Sequence, residues 1–424
     1  MRTSVPYPDM RTEPVTREFL GLAMPSQVTQ AERRSLIAGG LGWMLDSMDV
    51  TLYSLVLAHL MSDFGMTKVT AGYLNSLTLL SSALGGIGFG FVADRIGRVR
   101  AMMLSILIYS LASGACAFTT SVPQLAVCRF ILGLGLGGEW GIGAALIAET
   151  WRAEHRGKAL ALMQSSWAIG EMLAVLVTAI FLPMFGWRGV FLAGLLPALV
   201  AFWVWRAVPE PELWKERSSQ KGVPLRVLWR PDIRRNGLIA MIMNAFTMFG
   251  YWGLFTWIPT YLSLPVEQGG RGLGLMATTT WLLVMAVGKW FGYASYGLFA
   301  DHFGRRRSYG GYLIIAAFLV PLYGMASQPA VLLVLGPLVA FFGTGYYSGF
   351  GPISSELFPT QVRATAMGIA YNVGRGASAI APPVIGALAI RYGLGYAFFP
   401  LAGAFLIAAV MSQTLPETKG KVLE

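Results

Sequence analysis

GFVADRIGRVR, Gly90 to Arg100, breaks an apolar run with one aspartate and three arginines before a second apolar run begins. A near copy, GLFADHFGRRR, occupies Gly297 to Arg307, at an offset of 207 positions. The same shift carries Gly90, Asp94, Gly97 and Arg98 onto Gly297, Asp301, Gly304 and Arg305. It also lays AETWRAEHRGKA (148–159) on SELFPTQVRATA (355–366), matching Glu149 to Glu356 and Arg156 to Arg363. Phe185-Gly186 meets Tyr392-Gly393, and Pro209-Glu210 meets Pro416-Glu417. One offset kept this long is the signature of an internal duplication.

The runs around these breaks are long. Of 424 residues 55% are hydrophobic and only 12% charged, about half the charge of a soluble domain. About twelve apolar stretches of roughly 18–27 residues can each cross a hydrocarbon core of about 30 Å. The sequence therefore reads as an all-α integral membrane protein, because in lipid each backbone must satisfy its own hydrogen bonds. Two pseudo-symmetric six-helix bundles are expected at 35–206 and 236–414, in the parallel-repeat plan that rocks about a midplane site. A tail (1–34), a basic linker (207–235) and a second tail (415–424) complete the chain.

The net charge of +11 is a topology signal. With the N-terminus inside, most Lys and Arg gather on the cytoplasmic side. Lys68, Arg188, Arg271 and Arg391 fall outside, and Arg129, Lys289 and Arg375 lie within helices. Basic residues concentrate in short cytoplasmic loops, so both termini should be cytoplasmic. This geometry leaves no nucleic-acid role, and the basic surplus faces anionic lipid instead. Two cysteines, Cys116 and Cys128, and three histidines suggest neither a disulfide framework nor a metal cluster. No cofactor and no cleavable signal peptide are expected. An enzyme is not indicated, since no phosphate loop, nucleophile elbow or metal spacing occurs.

The repeated break has a mechanical reading. Gly90 allows close helix approach and Gly97 a tight turn. Asp94 can accept hydrogen bonds from the N-terminus of another helix. Arg95, Arg98, Glu149 and Arg156, with Asp301, Arg305, Glu356 and Arg363, are expected to form a cytoplasmic network whose ion pairs hold when that side is shut and part when it opens. Positive-inside anchoring alone would explain the arginines but not the acids and glycines.

G-x-x-x-D-R-x-G-R, written twice, resembles the loop signature of the major facilitator superfamily, with Val99 where a second basic residue is usual. PETKG (416–420) and VPEPELW (208–214) look like the sugar-porter and organic-ion branches. The helix-7 signature of sugar porters is missing, as is the Gly-Pro motif of drug antiporters in helix five. GWMLDSMDV (42–50), GLGLGGEWGIGAALIAE (133–149) and YNVGRGASAIAPP (371–383) are most similar to bacterial organic-acid:proton symporters of the aromatic-acid, sialate/lactate and metabolite branches. The resemblance implies a multi-pass bacterial inner-membrane transporter, working as a monomer by alternating access, with a small organic anion and a proton as its ligands.

Ionisable residues at helix centres are expensive and point to function. Here they are Asp46, Asp49, Arg129, Glu139, Glu171, Lys289 and Arg375. Helices 3, 6, 9 and 12, the outer helices of the superfamily, have none. At 1.5 Å per residue Asp49 lies roughly 21 Å from the cytoplasmic edge and Arg129 roughly 9 Å below the outer one, at matching depth. The two are therefore expected to pair, with protonation of Asp49 breaking the pair. The resemblance agrees, since relatives carry an aspartate and an arginine at these places. Asp46 shares a helix face with Asp49 and is either a second proton site or a like-charge tuner of the first. Glu171 is either a proton relay or a packing and gating group; Glu139 reads as a gate or helix contact.

The second half contributes only cations inside the membrane. Arg375 can take a carboxylate in its planar fork, or pair with an acid across the bundle, and Asn372 could add a donor. Lys289 is either a second substrate cation or snorkels to the cytoplasmic edge. Tyr251 and Trp252 are candidates for an apolar wall, with Asn244 and Gln164 as polar contacts. The reading is proton-coupled symport of a small organic anion. A sugar or polyol porter is the first alternative, and a non-transporting sensor of the same fold the second.

Overall fold

The computed structural model describes residues 17–19, 22–24, 28–211, 214, 230–358 and 363–417. The side chains of Arg156 and Arg363 lie outside this set, as do most of both tails and of the linker expected at 207–235. A short antiparallel strand pair, β1 (Arg17–Phe19) and β2 (Leu22–Met24), precedes the helices. Everything else described is helical or turn.

The first half contains α1 (Gln30–Phe64), α2 (Lys68–Ile96), α3 (Arg98–Cys116), α4 (Val122–Thr150), α5 (Ala153–Ala193) and α6 (Pro197–Ala207). The second contains α7 (Pro231–Phe255), α8 (Ile258–Ser263), α9 (Leu275–Phe303), α10 (Arg305–Met325), α11 (Pro329–Gly345) and α12 (Tyr347–Leu357). It continues with α13 (Arg363–Ser378), α14 (Ala381–Tyr392), α15 (Leu394–Ala397) and α16 (Phe399–Thr414). Local chemistry sets several of these starts. Thr29 accepts from the Glu32 amide while the Glu32 carboxylate accepts from the Thr29 amide, a reciprocal cap on α1. Prolines open α4, α6, α7, α8, α11 and α14, where a missing N–H costs nothing.

Among the described residues, nine helical runs are long and apolar enough to cross a bilayer. One of them, Lys158–Ala207, spans 50 residues and breaks at Gly186, whose φ is 65°. A helix that long would reach about 75 Å, more than two membrane cores, so the break turns one run into two crossings. α1 and α9, at 35 and 29 residues, are also long enough to span. They carry Asp46, Asp49 and Lys289 in their interiors.

The duplication is visible in the backbone. Gly97 and Gly304 turn the chain with φ of 107° and 95°, and Gly186 and Gly393 do so with φ of 65° and 79°. Each pair keeps the offset read from the sequence. Side chains other than hydrogen are strained in this region, so both halves reserve glycine for the same two turns.

The surface is that of a protein in lipid. Leu111 on α3, Leu199 on α6, Phe318 on α10 and Val410 on α16 are all exposed apolar side chains, and these helices are the ones expected to face outward. The interior holds what lipid would reject: Asp46, Asp49, Arg129, Glu139, Glu171, Lys289 and Arg375 are all buried. The glycine run of α4 lets that helix close on its neighbours. A Cβ at Gly137 would overlap the Ser82 carbonyl of α2, and one at Gly133 the Ser81 hydroxyl. The two halves meet where α2 packs on α13 and α14, where α5 packs on α9, and where α1 meets α8.

Candidate functional site

A partly open cleft between the halves holds about 590 Å³ of free space, open solvent included. Its wall includes Val50, Thr51 and Ser54 of α1, Trp167 and Glu171 of α5, and Tyr251, Trp252 and Phe255 of α7. Lys289 of α9 also lines it.

Glu171 and Lys289 form its polar centre. Lys289 Nζ lies 2.6 Å from Glu171 Oε2 and 2.7 Å from Oε1. Oε1 also accepts from Trp167 Nε1 and from the Tyr251 hydroxyl, both at 2.9 Å. The Trp167 indole is 2.9 Å from the same hydroxyl. Phe255 presents its ring 3.7 Å from the ammonium, a cation–π contact, and the Tyr251 ring centroid lies at 5.0 Å. Glu171 and Trp167 share a face because they stand four apart on α5. A charge pair this buried is costly unless its remaining positions are hydrogen-bonded, and here the indole and phenol supply those bonds. Of the two readings offered for Lys289, snorkelling to the edge is not what is seen. An acid within reach across the interface, and two rings over the ammonium, hold it inside.

The expected Asp49–Arg129 pair does not form in this conformation. All four carboxylate oxygens of Asp46 and Asp49 and all three guanidinium nitrogens of Arg129 are buried without a hydrogen-bond partner among the described residues. Arg129 lies over the Tyr53 ring, 4.3 Å from its centroid. Asp49 faces Ser113 and Gly194, on α3 and just past α5. Equal depth did not bring the groups together, because α1 turns Asp49 toward α3 while Tyr53, one turn on, takes the cation. Glu139 lies against Gly42 of α1, where a Cβ would strike its carboxylate, so in this conformation it contacts that helix. Arg375 is buried, with Nε and Nη1 lacking a hydrogen-bond partner among the described residues. Asp46 is its electrostatic neighbour in the other half, beyond ion-pair distance.

Asn244, Asn372 and Gln164 all make protein contacts in this conformation. Asn244 donates to the Ala370 and Tyr371 carbonyls at 3.1 and 3.3 Å, tying α7 to α13. Asn372 donates to Gly368 O of its own helix at 3.0 Å, and its amide sits over Gly86 of α2. Gln164 accepts from Trp140 at 3.3 Å, and Trp140 stacks on Tyr371 across the halves at 4.3 Å. Neither asparagine lines the cleft; Tyr251 and Trp252 do.

The loop network is present but runs within each half. Arg98 pairs with Asp94 and, at 3.0 Å, with Glu149. Arg305 pairs with Asp301 at 2.8 Å and with Glu356 at 3.6 Å. These contacts tie the loop to the end of its own α4 or α12 and do not strap one half to the other. Arg95 is exposed. The acid expected to meet a helix N-terminus is not Asp94. Glu210 accepts from the Arg98, Val99 and Arg100 amides of α3 at 2.8–3.2 Å. Glu417 does the same for Arg305 and Arg306 of α10. The repeated Pro-Glu at 209 and 416 was the signal for these caps.

Bonds that join the halves include Lys68 Nζ to Gln268 O at 2.9 Å, Asn75 to Thr256 at 2.8 Å, and Ser76 to the Ala379 carbonyl. They lie between the cleft and the end opposite the Arg98 loop.

Two duplicated helical halves around a cleft with buried charges are the frame of a membrane transporter. Residues 40–295 match the Major Facilitator Superfamily, and residues 211–424 match the sugar (and other) transporter family. The chain belongs to the major facilitator superfamily, as a multi-pass membrane transporter and not an enzyme. It is 35% identical to a probable 4-methylmuconolactone transporter of Cupriavidus pinatubonensis, over 90% of each chain. It is 31% identical to a niacin transporter of Acinetobacter baylyi, over 91% of this chain and 94% of that one. The fold matches the crystal structure of a D-xylose–proton symporter with a TM-score of 0.73 at 20% identity, covering 93% of this chain and all of that one.

Proposed function

We propose that this protein moves a small organic anion together with a proton by alternating access, with the Arg98 loop on the cytoplasmic side. The observation that carries the reading is the Glu171–Lys289 pair, which joins the two halves inside an aromatic cleft. Acids in the first half (Asp46, Asp49, Glu171) can hold the proton; in the second half Lys289 lines the cleft and can take the anion, and Arg375, outside the lining, adds positive charge to its approach. Both ligands together keep the cavity neutral, which lowers the cost of closing it in lipid. Each ligand alone would leave a buried net charge. Relatives named for niacin and for a muconolactone support an organic-acid cargo.

The test is thermal unfolding of the purified protein with monocarboxylates, dicarboxylates, aromatic acids, sialate and hexoses at two pH values, with Arg375→Ala as control. Stabilisation by an organic acid, larger at the lower pH, is expected. Stabilisation by hexoses or xylose alone would favour the second reading, a sugar porter, which the xylose-symporter fold match supports.

A further inference from the structure

Resting on the organic-anion reading above, we infer that the Glu171 carboxylate is an internal stand-in for the cargo's own carboxylate at Lys289. One cargo carboxylate and one proton would then enter together, and the cargo is a flat monocarboxylate. Three observations lead there.

First, the ammonium has one acidic partner and a second environment ready to keep it. Lys289 touches both oxygens of Glu171, while Phe255 and Tyr251 offer ring faces at 3.7 and 5.0 Å. A cation held over rings can change its carboxylate without being exposed to lipid. The balance is simple. In the empty cleft, Glu171 carboxylate and Lys289 ammonium sum to zero. When a proton adds to a Glu171 oxygen, that carboxyl becomes neutral and the ammonium is released. A cargo carboxylate on Lys289 restores zero. The loaded and empty clefts therefore carry the same charge, and the loaded carrier turns over without moving net charge.

Second, among the described residues Glu171 is the acid that reaches Lys289. The groups facing Glu171 are Lys289 and Tyr293 from α9 and Tyr251 from α7. α1, packed along α5, presents Thr51 and Ser54 to the cleft. The Glu171 oxygens already collect donors from Trp167 and Tyr251, and a neutral carboxyl can keep one of them while giving its proton to the other partner's oxygen.

Third, the wall selects shape and charge. Trp167 of α5 and Tyr251, Trp252 and Phe255 of α7 line the cleft with aromatic side chains, which favours a planar conjugated body. Lys289 is the one cation among the described residues of the lining. A second carboxylate would find no partner there, since Arg129 and Arg375 lie outside it.

Benzoate is the probe, with cyclohexanecarboxylate, phthalate and xylose as comparisons, on the full-length protein in detergent. Isothermal titration in buffers of different ionisation heat counts protons taken up per benzoate bound. The expected result is about one proton per benzoate in the wild type, with phthalate at least about tenfold weaker for want of a second cation. Glu171→Gln should bind benzoate as well or better with no proton uptake, because Lys289 is already free. Lys289→Met in the Glu171→Gln background, which buries no unpaired charge, should lose benzoate binding by at least about tenfold. Proton uptake unchanged in Glu171→Gln, or benzoate binding unchanged in the double variant, overturns the inference. So does phthalate or cyclohexanecarboxylate binding tighter than benzoate, although the broader organic-anion reading would survive. Xylose binding with no acid bound at all would instead remove the reading beneath it.

Discussion

Lys289 reaches Glu171 from the opposite half of the molecule, its ammonium 2.6 Å from a carboxylate oxygen and both side chains buried. Removing one partner leaves the other's charge buried without its counter-ion. Lys289→Met alone should cost about 3–5 kcal/mol of stability, whereas the uncharged double variant with Glu171→Gln should lie near the wild type. Melting of the purified proteins by intrinsic tryptophan fluorescence would reveal it as a large fall for the single variant and recovery for the double. Equal melting of all three would mean the pair contributes nothing.

The close approach of α4 to α2 makes a second prediction. A side chain at Gly137 meets the backbone carbonyl of Ser82, which cannot rotate away, while Gly141 has open space around its Cα. Gly137→Val should cost at least about 1–3 kcal/mol, the range of overpacking, and lower the yield of folded protein. Gly141→Ala should do neither. Monodisperse yield on size exclusion separates the two.

The duplicated turns predict paired effects. Gly97→Ala and Gly304→Ala each force a left-handed backbone on a side chain and push a Cβ at the carboxylate of Glu210 or Glu417. Each should cost about 1–3 kcal/mol. Glu210→Gln and Glu417→Gln, which keep shape but remove charge from the α3 and α10 N-termini, should each cost about 0.3–1 kcal/mol. Melting temperatures that fall for one half and not for the other would argue against equivalent roles.

Glu32 sets an acid limit. Its burial would raise its carboxyl, but the Thr29 amide and the Arg152 guanidinium outweigh that and hold it below the usual carboxylate range. A depressed acid contributes stability that is present above the unfolded-state value, near 4.3 for glutamate, and is lost as pH falls through the lower folded value. Melting curves below about pH 4 should therefore fall less steeply for Glu32→Gln than for the wild type. Identical slopes would show that the contact carries no linkage.

The fold was largely legible because duplication writes the same residues twice. Gly97, Gly304, Gly186 and Gly393 stand at one offset and adopt matching backbone angles. The buried ionisable residues were legible too, because each is conspicuous in an apolar run. Their partners were not. Depth along a helix fixes height but not the direction a side chain faces, so Asp49 and Arg129, expected at equal depth, stay electrostatic neighbours without an ion pair in this conformation. Lys289 looked close enough to the edge to reach it, and only packing of α5 on α9 shows the acid that keeps it inside. Glu171 and Trp167, four apart on one helix face, were the available clue to the cleft's floor. Asn244 and Asn372 looked like ligand contacts because polar groups in lipid suggest function, yet their amides donate to backbone carbonyls of α13.

The central claim is that proton and organic anion cross together through this cleft. The most direct measurement is uptake of radiolabelled benzoate into proteoliposomes at zero membrane potential, with and without an inwardly directed proton gradient. Accumulation above equilibrium that requires the gradient, is unmoved by a potassium diffusion potential, and disappears in Glu171→Gln is the predicted result. Uptake that ignores the proton gradient, or accumulation driven by the membrane potential alone, would contradict it.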